Sequence, residues 1–154
     1  MNAVHPAPTT SRQANKGLTG GLIAGLIAGL IIAIVLFADY GPANDLRTAA
    51  SWIGLDHSSA ARLIGFFVLI ILGGIFGLLF GFAMSRMPNT LGRSIVAGLI
   101  TGFVWWLIVV PIISVLIHNM HFDFGSYLYY FVPLLAYGML LGTIYYQRTR
   151  RAYL

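Results

Sequence analysis

Charged residues interrupt long apolar runs at regular intervals along the chain. Lys16 and Asp39 bracket 22 residues without a charge, Arg62 and Arg86 bracket 23, Arg93 and His118 bracket 24, and Asp123 and Arg148 bracket 24. A helix rises about 1.5 Å per residue, so roughly 20 residues cross a hydrocarbon core of about 30 Å. Each run is long enough for one crossing. Lipid offers no partner to backbone amides, which leaves only helices or a closed barrel. A barrel would alternate polar and apolar positions over short segments, and these runs do not. The pattern predicts an all-α membrane protein with four transmembrane helices, at about 17–38, 60–84, 94–117 and 126–147, forming one bundle over 17–147. Residues 1–16, with Pro6 and Pro8, predict a flexible tail, and 148–154 a short basic one. The first run is longer than a signal-peptide core and three more follow, so it is expected to remain as an uncleaved anchor.

A weaker pattern lies in the loop after the first run. Leu46, Ala49, Ala50 and Ile53 fall at i, i+3, i+4 and i+7, one apolar stripe. Asn44 or Asp45 suits its N-cap and Gly54 its stop. With Trp52 at an interfacial depth, this predicts a short helix lying on the membrane surface. Asp56, Ser58 or Ser59 is expected to cap the next helix.

Small residues carry the next signal. Gly17, Gly21, Gly25 and Gly29 repeat every four residues in the first run. Gly73, Gly77 and Gly81 do so in the second, Gly98 and Gly102 in the third, and Gly138 and Gly142 in the fourth. Residues four apart share a helix face, and a glycine row lets another backbone approach closely. Two uses are open: packing within the bundle, or docking on another protein, for which the first helix has the longest groove. AGLIAGL at 24–30 also matches AGLITGF at 97–103. Gly25 aligns with Gly98 and Gly29 with Gly102. Gly73 then aligns with Gly138 and Gly77 with Gly142. This predicts a tandem duplication of a helical hairpin, its halves related by an axis near the membrane normal.

Composition supports the membrane reading, because only 8% of the residues are charged, against about 25% in soluble domains. Arg12, Lys16, Arg86, Arg93, Arg148, Arg150 and Arg151 share the side of both termini; Arg47, Arg62 and all four acids fall on the other. The positive-inside rule places both termini in the cytoplasm, of a cell (inner) membrane. Arg148, Arg150 and Arg151 are expected at lipid headgroups. Phe122, Phe124, Tyr127, Tyr129 and Tyr130 suggest an outer aromatic belt, and Tyr145, Tyr146 and Tyr153 an inner one.

Chemistry is sparse. The chain has no cysteine, which excludes disulfides and thiolate sites. No ionisable group lies inside the four runs, which argues against proton relays, ion-coupled carriers and mid-helix haem ligation. Thr19, Thr101, Ser114, Ser126 and Thr143 have no histidine at comparable depth except near the outer rim, so no enzyme is expected. His118, His121 and Asp123, with His57 from the other outer loop, form a weak candidate metal site, and no cofactor is expected. Trp105, Trp106 and Tyr137 fall near the midplane, where their polar atoms need acceptors. Pro111 and Pro133 leave the carbonyls of Leu107 and Tyr129 unpaired and available. The trio marks a candidate ligand pocket, or aromatics filling voids opposite the glycines. The expected function is a small non-catalytic accessory or scaffold subunit that packs onto a larger membrane complex through its glycine-lined faces. The expected partners are the lipid bilayer, other integral membrane proteins or further copies of itself, and no nucleic acid. The alternatives are a small oligomeric carrier, channel or lipid-handling protein, and a quinone-, pigment- or haem-binding redox subunit.

Overall fold

The computed structural model describes residues 10–38, 45–55, 60–88, 90–109, 112 and 124–151. Within these the chain is all-helical. Five helices follow in order: α1 (Thr10–Ala38), α2 (Asp45–Ser51), α3 (Ala61–Met84), α4 (Leu91–Leu107) and α5 (Phe124–Arg151). Two of them, α1 over Asn15–Ala38 and α3 over its whole length, are long and apolar enough to cross a membrane. Their glycines each cost about 1 kcal/mol of helix propensity in water. In an apolar medium the helix persists, because unwinding would strand amides that have no other partner.

Helix ends depart from the sequence expectations in physically simple ways. α1 starts at Thr10, inside the predicted tail. Residues 11–16 hold Arg, Gln, Ala and Lys and no glycine or proline, so they extend a helix already nucleated. α5 likewise continues past 147 into the predicted basic tail, and Thr149 Oγ1 donates to the Tyr145 carbonyl at 2.8 Å. α3 has Ala60 at its N-cap with no side-chain cap bond, since alanine has no acceptor; Asp56, Ser58 and Ser59 lie outside the described residues. Regular α4 is 17 residues long and passes into a wider π turn at 108–109. The rest of the predicted third helix, apart from Ile112, lies outside the described residues.

Helix α2 is present, but it packs on the bundle rather than only on a membrane surface. Leu46, Ala49 and Ala50 are buried. The Leu46 backbone sits so close to Gly65 that a Cβ there would meet its carbonyl oxygen. Ile53, expected on the same stripe, is exposed, because it lies beyond the helix in the exit turn. That turn is a Schellman motif. The Leu55 N–H donates to the Ala50 carbonyl at 3.1 Å and the Gly54 N–H to the Ser51 carbonyl at 3.0 Å. Gly54 takes φ +74°, the left-handed conformation that glycine reaches without steric cost.

The long helices pair as two antiparallel hairpins. α1 packs along α3, and α4 along α5, while α1 also meets α5 to join them.

Candidate functional site

The glycine rows face one another inside each hairpin. A Cβ on Gly25 would fall 2.7 Å from Gly77 Cα, and one on Gly21 would fall 2.6 Å from Gly81 Cα. From the other side, a Cβ on Gly77 would lie 2.7 Å from Gly25 Cα, and one on Gly81 2.9 Å from Gly21 Cα. Gly17 meets Ser85, and Gly29 meets Gly73 and the Leu69 carbonyl. In the second hairpin, Gly98 faces Gly138 and Gly142, Gly102 faces Leu134 and Gly138, and Gly142 faces Ser94. Most of these atoms are backbone, so no rotamer change can make room. α3 therefore fills the α1 groove from Gly17 to Gly29, and this groove is not left over for a partner.

The two hairpins use matching contacts. Gly25 meets Gly73 and Gly77 where Gly98 meets Gly138 and Gly142. Gly29 meets the Leu69 carbonyl where Gly102 meets that of Leu134. Four small residues outside the predicted set also serve close packing. Gly65 admits α2, Ser94 stands opposite Gly142, Gly20 lies beside Tyr145 and Thr149, and Gly74 receives Leu26. The four-residue spacing already marked Ser94, four before Gly98, while Gly65 lies on the same face as Gly73 but eight residues before it, with Leu69 between.

Aromatic rings form the seam between hairpins. Trp105 of α4 stacks on Phe76 of α3 at 4.9 Å, and Tyr137 of α5 meets it edge-on at 4.4 Å. Phe80 and Tyr145 pair edge-to-face at 5.2 Å. Tyr145 is thus core, at 3% exposure, and not part of an inner aromatic belt. Tyr137 is fully buried and donates its hydroxyl to the Gly73 carbonyl at 2.6 Å. Its acceptor is therefore Gly73, and neither of the carbonyls expected from the prolines. Gly73 has three roles at once. It lets α1 approach, it leaves room for the Tyr137 ring 3.4 Å from where a Cβ would be, and it accepts the phenol.

The predicted trio is split by this arrangement. Trp105 and Tyr137 touch, while Trp106 joins Phe103 and Phe131 in a separate, partly exposed cluster. The Trp105 indole N–H has no hydrogen-bond partner among the described residues. An unmade bond of this kind costs about 1–3 kcal/mol, which two ring contacts at about 0.5–1.5 kcal/mol each offset. Toward the α2 end, the seam opens into an apolar cavity of about 40 Å³, walled by Leu36, Trp52, Leu69, Trp105, Tyr130 and Leu134. A void of about 150 Å³ accepts benzene. The present one, among the described residues, is smaller than that.

Other polar groups are occupied locally. Thr19, Thr101 and Thr143 donate to carbonyls four residues back, at 2.8, 2.9 and 2.8 Å. Arg62 donates to the Phe37 carbonyl and lies 4.7 Å over the Phe37 ring, closing the C-terminal turn of α1. His57, His118, His121 and Asp123 lie outside the described residues. Among the described residues no group of three or more His, Asp or Glu converges. Lys16, Arg86, Arg93, Arg148 and Arg150 are all exposed at one end of the bundle; the side chain of Arg151 is not described.

No known protein family, curated protein or solved structure matches the chain.

Proposed function

We propose that the chain is a small, non-catalytic, multi-pass membrane protein that serves as an accessory or scaffold subunit of a larger membrane complex. One observation carries this reading: every long helix turns a row of large apolar side chains outward. Leu26, Leu30 and Ile34 form the row on α1; Phe67, Ile71, Ile75 and Leu79 on α3; Val96, Ile100 and Val104 on α4; Leu128 and Val132 on α5. Water would not tolerate such rows, whereas lipid or another membrane helix would. In this reading α4 and α5 also span, giving four crossings with both termini in the cytoplasm of the cell (inner) membrane. The matching glycine contacts favour an origin by hairpin duplication. Partners meet the outward leucine, isoleucine and phenylalanine rows, since the glycine faces are occupied within the chain. Thr19, Thr101 and Thr143 spend their hydroxyls on their own helices, which supports a scaffold over a carrier.

The test is gentle-detergent extraction at native expression level, followed by a native gel and mass spectrometry of the band. A heteromeric complex of fixed stoichiometry is the expected result. A homogeneous band of this chain alone would sink the accessory reading and favour an autonomous carrier or lipid-handling protein. Release of the chain from membranes by alkaline carbonate would overturn the membrane reading itself.

A further inference from the structure

We propose that the bundle end bearing Lys16, Arg86, Arg93, Arg148 and Arg150 is a composite docking surface for anionic phospholipid headgroups. The glycine registers assemble it from four helix ends. Gly17 against Ser85 sets the start of α1 beside the end of α3. Gly20 against Thr149 sets it beside the last turns of α5, and Gly142 against Ser94 brings the start of α4 to the same level. Five exposed cations, far apart in sequence, thus share one end. The four acids of the chain, Asp39, Asp45, Asp56 and Asp123, all adjoin the opposite ends of the helices. Arg86 is also held in place, its guanidinium 4.4 Å over the Phe82 ring in the last turn of α3, which lowers the entropy lost on pairing with a phosphate. A cation near an anionic leaflet adds about fivefold to affinity. Five on one face make the charge complementarity cumulative, beyond the anchoring expected of a three-arginine tail.

This proposal rests on the chain residing in a bilayer, and the experiment separates the two. The full chain is reconstituted into vesicles of equal phosphatidylglycerol and phosphatidylcholine. It is then extracted in mild detergent, and the retained lipids are counted by mass spectrometry. An excess of phosphatidylglycerol is expected at 0.1 M salt. It falls toward parity at 1 M, where the screening length shrinks from about 10 to about 3 Å. Single changes Arg86→Gln, Arg93→Gln, Arg148→Gln and Arg150→Gln each lower the excess, by up to about fivefold. Arg47→Gln, at the opposite end, leaves it unchanged. Equal retention of the two lipids overturns the proposal, as does an excess indifferent to salt or equally sensitive to Arg47→Gln. So does capture of an acidic protein by this end without any lipid preference. Failure of the membrane reading looks different: the chain would not incorporate into vesicles at all.

Discussion

Gly77→Ala tests the glycine contacts most directly. A Cβ at Gly77 would lie 2.7 Å from Gly25 Cα and 3.0 Å from Gly25 N. Carbon atoms pack at about 3.5–4.0 Å, so the contact falls short by roughly 0.8–1.3 Å (3.5 or 4.0 minus 2.7). Both partners are backbone, and the strain can be relieved only by moving the helices apart. That movement also loosens the Gly21–Gly81 and Gly25–Gly73 contacts on either side. Overpacking of this kind costs about 1–3 kcal/mol, and the better helix propensity of alanine returns at most about 1 kcal/mol. The expected net loss is about 1–2 kcal/mol. Gly92→Ala is the control, because nothing lies within 4 Å of its Cβ position; it should be neutral or slightly stabilising. Unfolding in mixed micelles by SDS titration, followed by far-ultraviolet circular dichroism, gives both values. Indistinguishable midpoints for the two variants would refute the close-contact argument. The double variant Gly25→Ala with Gly77→Ala should lose less than the sum of the singles, since the first substitution already parts the helices.

Three further outcomes follow from single contacts. Tyr137→Phe keeps the ring against Trp105 and removes the bond to Gly73, so the same titration should show a loss of about 1 kcal/mol; an unchanged midpoint would mean the phenol contributes nothing. Gly54→Ala forces a side chain into the left-handed region at about 1–2 kcal/mol, and hydrogen exchange should show α2 opening more readily while α3 stays protected. Arg62→Gln removes the guanidinium bond to the Phe37 carbonyl, and faster amide exchange confined to the last turn of α1 is expected; uniform exchange along α1 would place the effect elsewhere.

The parts legible in the sequence are those fixed by local periodicity. The four-residue glycine rows and the stripe of Leu46, Ala49 and Ala50 are visible because helix geometry repeats within a few residues. Partner choice is less local. That Tyr137 would use the Gly73 carbonyl, 64 positions away, depends on the rotation of α5 against α3, which no short pattern encodes. Tyr145 misled for the same reason. A tyrosine near a helix end reads as interfacial, yet Gly20 across from it supplies the room that buries it. Trp105 and Trp106 are neighbours in sequence but point about 100° apart around a helix, so adjacency alone could not make them one pocket.

The two kinds of interface divide the work of building the bundle. Within a hairpin, contact runs between backbones, and a single added methyl group blocks it. Between hairpins, contact runs between rings, which tolerate some change of angle and shape. The closest backbone contacts therefore lie within the hairpins, while rings dominate the joint. Gly73 belongs to both systems, packing against α1 while accepting the Tyr137 hydroxyl, so the position of one hairpin is tied to the internal register of the other. The apolar cavity lies along the same joint, where rings and aliphatic chains leave space that glycine contacts do not. A shift at the aromatic seam would leave the glycine registers within each hairpin in place, but it would move the Gly20–Thr149 contact and with it the two halves of the cationic end.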